Sequence, residues 1–294
     1  MLEGLCAFPL TPLSGTGLDE AALTGLISRL VAAEVDSIGV LGSTGIYPYL
    51  DRAERRTVLD VTVAAAAGTP VIAGIGALRT REVLTHAQDA QTAGAAGMLL
   101  APVSYHRLTE DEVYGLYRDV AYAASVPVIV YDNPGTTGFT FTDELYRRIA
   151  QLPNMTGIKI PPPAAEVGHR VTALRSNLPG SISVGISGDW VAAEALLAGA
   201  DCWYSVIGGV FPATAQAIVD AASAGHREHA QALSQALEPI WALFRRYGSL
   251  RVVAAIAETI GRVHSPCLPL PLLGLPPQGR AELEAALHTT GLAG

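Results

Sequence analysis

Lysine is nearly missing from this chain of 294 residues: 18 of its 19 basic residues are arginine, and the exception is Lys159. Acidic residues number 27, the formal net charge is −8, and no run is rich in Lys or Arg. That excludes the basic stripe by which a protein neutralises a phosphate backbone. Charged residues make up only 16% against 50% hydrophobic ones, a balance that excludes a disordered chain. No apolar stretch reaches the roughly 18 residues of a spanning helix. The three cysteines, Cys6, Cys202 and Cys267, are scattered and odd in number, so they form neither a disulfide framework nor a zinc site. The opening segment, MLEGLCAFPLTPL, lacks the basic start and small-residue cleavage site of a signal peptide. These absences predict a cytoplasmic protein of a reducing compartment, with no nucleic-acid and no membrane partner.

What is present is a regular alternation. Apolar runs of strand length recur at 5–10, 37–41, 71–75, 97–101, 128–131, 157–160, 182–185 and 202–206. Each is followed by a stretch of helical period: 19–33, 51–67, 80–93, 109–124, 142–152, 164–177, 190–197 and 212–224. Several of these open on Asp or Thr, and Asp51-Arg-Ala-Glu54 has the order of a capping box. Eight βα units in this length predict a closed (β/α)₈ TIM barrel over residues 1–225. After Gly225 the strand signal stops, and 226–247, 249–261 and 278–288 read as a C-terminal helical domain, 226–294. A dinucleotide site is rejected, because Gly74-Ile-Gly76-Ala-Leu-Arg79 lacks the third glycine of the phosphate fingerprint. Gly185-Ile-Ser187-Gly188-Asp189 falls one residue short of a nucleophile elbow. His226 and His229 read as a solvated helix face, and no metal or cofactor is expected.

Catalytic groups of such a barrel lie at the C-terminal ends of its strands. Strand alternation puts Ile158 and Ile160 outward and Lys159 inward at the mouth. A guanidinium stays protonated and is no nucleophile, whereas a desolvated ammonium releases its proton and attacks a carbonyl. The competing reading is a structural lysine that caps barrel carbonyls. Tyr131 shares the inward parity at the end of the preceding strand, about 4.8 Å away, where a phenol serves proton transfer to a carbinolamine or a substrate hydroxyl. Gly42-Ser43-Thr44-Gly45 offers hydroxyls and amides to a small carboxylate. Arg107 and Arg79 are the cationic candidates near the strand ends.

At these residues the sequence resembles the pyruvate-dependent class I aldolases of the dihydrodipicolinate synthase / N-acetylneuraminate lyase superfamily, over essentially the whole chain. The motif order carries it: G-S-T-G after strand two, Y-D-N-P after strand five, G-I-K after strand six, S-G-D after strand seven. The resemblance implies that Lys159 forms a Schiff base with pyruvate or a related 2-oxo acid and that Tyr131 shuttles the proton. It implies that Ser43 and Thr44 bind the 2-oxo carboxylate and relay protons, with Gly45 beside them in the binding loop. Tyr105, in the loop after strand four, is the candidate for a tyrosine that the family supplies across a subunit interface. A homotetramer or dimer is likewise implied.

The departures concern the second substrate. Where dihydrodipicolinate synthases place an arginine two residues after the motif proline, this chain has Thr136. The usual Glu is Ile46, the usual Asn is Asp132, and Pro161-Pro162-Pro163 follows the lysine segment. The expectation is therefore a Schiff-base lyase, aldolase or dehydratase, with a different second substrate, in which Thr136 and Arg107 take part in substrate binding. The alternatives are dihydrodipicolinate synthase itself and a 2-oxo acid-binding sensor without turnover.

Overall fold

The computed structural model describes residues 2–15, 17–164 and 166–293. Eight parallel strands close a barrel: β1 (Gly4–Ala7), β2 (Ser37–Val40), β3 (Val71–Gly74), β4 (Gly97–Leu100), β5 (Val128–Tyr131), β6 (Met155–Ile160), β7 (Ser183–Ile186) and β8 (Cys202–Ser205). Each pairs with its sequence neighbours, and β1 closes the ring on β8. The architecture is the (β/α)₈ TIM barrel expected from the alternation.

Among the described residues, eight helices layer the barrel, besides the single helical turn Pro134–Thr137 after β5: α1 (Glu20–Ala32), α2 (Arg52–Ala65), α3 (Thr80–Ala93), α4 (Glu110–Ala123), α5 (Asp143–Ile149), α6 (Val167–Asn177), α7 (Ala192–Leu197) and α8 (Pro212–Ser223). Their starts are chemically fixed. Asp51 with Glu54, and Thr109 with Glu112, form reciprocal capping boxes that satisfy the orphan donors of the first turn. Helix α6 begins later than the expected 164–177, and Ala165 lies outside the described residues.

Two features were not legible in the pattern. A two-residue hairpin pairs Leu13–Ser14 with Gly17–Leu18, too short to produce an alternation. The expected helix 226–247 is two helices, α9 (Arg227–Ala236) and α10 (Glu238–Tyr247). Pro239, in the first turn of α10, has no N–H to continue a helical ladder. α11 (Ser249–Thr259) and α12 (Pro277–Thr290) complete the chain. Among the described residues, no helix is long and apolar enough to cross a membrane.

Period-2 alternation separates two cores. Cys6, Ile72, Leu99, Ile129, Tyr131, Cys202 and Tyr204 pack inside the barrel, joined by Phe8. Ile158 and Ile160 face outward into the large cluster between the sheet and the helices, which also takes in Trp241 and Val252 of the C-terminal helices. Lys159 therefore points into the barrel mouth, the only strand residue of its kind to do so, since every other basic residue is arginine.

Candidate active site

Register fixes the heart of the site. Tyr131 pairs with Lys159 across β5 and β6, and the Asp132 N–H donates to the Lys159 carbonyl at 3.0 Å, locking the two strand ends level. Lys159 is 4% exposed. Its Nζ lies 4.1 Å from the Tyr131 ring centre, 4.2 Å from that of Phe8 and 5.2 Å from that of Tyr204. Among the described residues it has no ion pair and no side-chain hydrogen bond. Aromatic faces attract a cation through their quadrupoles, and here this contact stands in place of an ionic partner. Phe8 reaches this position because β2 carries Gly39: a Cβ there would sit 2.3 Å from the Phe8 ring.

The Tyr131 phenol reaches across to β2. Its oxygen is 3.1 Å from the Ser43 hydroxyl, and the Asn133 side-chain amide donates to both, at 3.0 Å to Tyr131 and 3.2 Å to Ser43. Thr44 is buried and lines the same cavity, but its hydroxyl makes no hydrogen bond to Tyr131. The hydroxyl coupled to the phenol is thus that of Ser43 rather than that of Thr44.

The loop that carries Ser43 is held in an unusual backbone. Leu41 and Ile46, which bracket it, both have positive φ, 55° and 48°, costly for a bulky or β-branched residue, about 1–3 kcal/mol each. Close packing maintains it. A Cβ at Gly74 would lie 1.8 Å from the Leu41 carbonyl oxygen, and one at Gly45 would lie 2.9 Å from the Leu41 nitrogen. Gly45 itself does not line the cavity and acts through this tight turn. Arg55, buried on α2, donates to the Gly74 and Gly76 carbonyls at 2.9 and 3.0 Å and stacks 5.4 Å from Tyr47. Burial lowers its pKa to about 10, which leaves it charged at neutral pH.

Two buried carboxylates frame the mouth. Asp189 accepts from Trp203 Nε1 and the Val206 N–H through one oxygen, and from the Ile207 N–H through the other, so it ties the loop after β8 to the end of β7. Burial raises its pKa to about 6 despite these donors. Asp132 accepts a 2.6 Å hydrogen bond from Tyr146, and burial raises it to about 6 as well.

The resulting cavity measures about 620 Å³. Lys159, Tyr131, Ser43, Thr44 and Thr136 all line it. Tyr105 and Arg107 do not: Tyr105 is 89% exposed with its ring edge on His106, and Arg107 is exposed beside it. Within one chain the structure therefore does not bring these two to the lysine. Asn133, Phe8 and Tyr204 were missed as site residues. The signal was present for all three, since Phe8 and Tyr204 stand two residues from an inward cysteine and Asn133 two residues after inward Tyr131.

Comparison with known proteins identifies the family. A profile of the dihydrodipicolinate synthetase family matches residues 1–290. The 4-hydroxy-tetrahydrodipicolinate synthase of Syntrophus aciditrophicus (strain SB) is 31% identical over 296 residues, covering 100% of both chains. Among solved structures, dihydrodipicolinate synthase from Agrobacterium tumefaciens superposes with a TM-score of 0.95 at 45% identity, covering 98% of each chain. The chloride-inhibited dihydrodipicolinate synthase from Acinetobacter baumannii, solved with pyruvate, gives 0.92 at 29% identity over 99% of each. The chain belongs to the dihydrodipicolinate synthetase family and is an enzyme of the class I, lysine Schiff-base lyase kind.

Proposed function

We propose that Lys159 condenses with the ketone of pyruvate or a related 2-oxo acid, and that the enzyme makes or breaks a C–C or C–O bond beside the resulting imine. The observation that carries this reading is the position of the lysine: buried among three aromatic rings at the base of a cavity, without an ionic partner, 4.1 Å from the ring of a phenol. The protonated imine is the electron sink, and Tyr131 with Ser43 moves the proton. The hydroxyls and amides of Ser43 and Thr44 receive the 2-oxo carboxylate.

The second substrate in this reading differs from that of the synthases named above. Thr136 lines the cavity at the position where the family resemblance leads one to expect arginine, and it offers a hydroxyl in place of a bidentate cation. The protein is read as a cytoplasmic homotetramer or dimer, in keeping with its three buried free cysteines.

The test is intact mass after incubation with pyruvate and borohydride. Lys159 is the sole lysine, so one adduct mapped to it, absent in Lys159→Arg, supports the imine. An unmodified chain with pyruvate and with longer 2-oxo acids would leave a barrel whose lysine is structural.

A further inference from the structure

The cavity is chemically divided. Its floor, at the strand ends, carries the polar groups of Ser43, Thr44, Tyr131, Asn133, Thr137 and Lys159 beside the rings of Phe8 and Tyr204. Its outer half is mostly apolar, closed by Trp190 and Val206 from the loops after β7 and β8, Phe244 of α10, Leu250 of α11 and Leu272 of the segment before α12, with Ser187 and Ser249 adding only neutral hydroxyls. Cavities of roughly 300–1,000 Å³ enclose ligands of drug size, so 620 Å³ is far more than a three-carbon 2-oxo acid fills.

Charge is missing from that outer half. Among the described residues that line the cavity, only Lys159 and Asp189 are ionisable as cation or carboxylate. Lys159 is committed to the imine, and both oxygens of Asp189 are taken by Trp203, Val206 and Ile207. Arg251 stands next to Leu250 in sequence but donates to the Leu273 carbonyl. A second carboxylate brought here would lose its water and gain no cation, which opposes binding strongly. An apolar body would instead gain by burial against Leu250 and Leu272.

From this division we infer that the second reactant is an uncharged aldehyde with an apolar body, seated under Phe244, Leu250 and Leu272. The inference rests on the imine reading proposed above. In the condensing direction, the enamine carbon of lysine-bound pyruvate attacks the aldehyde carbon. One C–C bond forms, the carbonyl π bond breaks, and the aldehyde oxygen takes a proton from Tyr131. Water then hydrolyses the imine, releasing a 4-hydroxy-2-oxo acid and the free amine. Cleavage runs the same steps in reverse.

The test gives the full-length protein pyruvate with benzaldehyde, hexanal, succinic semialdehyde or aspartate semialdehyde in turn, with product read by mass. The uncharged aldehydes are expected to exceed the charged ones in kcat/KM by about 100-fold. In Leu250→Arg, the ratio is expected to move toward succinic semialdehyde by about 10-fold or more; Leu272→Arg provides the same readout should Leu250→Arg not fold. Borohydride trapping on Lys159 in the same preparations separates the two layers. No adduct removes the imine reading and this inference with it. An adduct accompanied by preference for a charged aldehyde, or by turnover of no aldehyde, overturns this inference alone. Loss of charged-aldehyde turnover in Arg107→Ala would trace the missing cation to that exposed loop and likewise overturn it.

Discussion

The phenol oxygen of Tyr131 lies 3.1 Å from the hydroxyl oxygen of Ser43, although 88 positions separate them in sequence. The contact joins the end of β5 to the loop after β2 across the barrel mouth, and Asn133 braces it by donating to both oxygens. In the reading proposed above, this arrangement gives the proton that moves during imine chemistry a path between two hydroxyls inside one chain.

Tyr131→Phe removes the phenol while keeping the ring beside Lys159. Exchange of pyruvate methyl protons into heavy water, followed by NMR, is expected to fall by about 10²- to 10⁴-fold. The borohydride adduct should still form at long incubation. Retention of full exchange would exclude Tyr131 as the proton carrier.

Asn133→Leu is nearly isosteric and deletes both amide donors. Each hydrogen bond contributes about 1 kcal/mol, so the same exchange rate is expected to drop roughly 5- to 30-fold, in kcat more than in KM. An unchanged kcat would show that Tyr131 and Ser43 hold their alignment without the amide.

Asp132 gives a pH-dependent signature. Burial raises its pKa from 3.8 to about 6 in the folded state, so the native protein holds this proton more tightly than the unfolded chain does. Stability from this group is present below about pH 4 and is lost as pH rises through 6. Asp132→Asn keeps an acceptor for Tyr146 without the charge. It is expected to change melting temperature little at pH 4 and to raise it at pH 7, by at most about 3 kcal/mol in stability. Equal effects at both pH values would contradict the raised pKa.

Gly74→Ala tests the packing behind the Ser43 loop. The added methyl would lie 1.8 Å from the Leu41 carbonyl oxygen, so β2 and β3 must part. We expect a stability loss of about 1–3 kcal/mol and slower proton exchange, because the shift propagates to Ser43. A variant with wild-type melting temperature and exchange would show that the turn has slack.

The barrel was legible because burial on both faces makes parallel strands read as short apolar runs, and capping residues mark the helix starts between them. Composition isolated Lys159, and strand parity aimed it inward together with Tyr131. Those features are local: each depends on residues within one element, so order along the chain suffices. Their pairing across β5 and β6 followed from the same alternation.

Tertiary structure decided what the chain order does not encode. Ser43, rather than Thr44, meets Tyr131 because Leu41 and Ile46 adopt positive φ, a conformation imposed by packing against Gly74 and absent from any propensity. Asn133 joins that pair through its side-chain amide, from the cap of the helical turn that follows β5. The C-terminal helices reach the cavity through Phe244 and Leu250, more than 80 residues from Lys159 in sequence. Their apolar character was visible in the sequence. That it faces Lys159 was decided by three-dimensional closure, where side chains distant along the chain share one desolvated space.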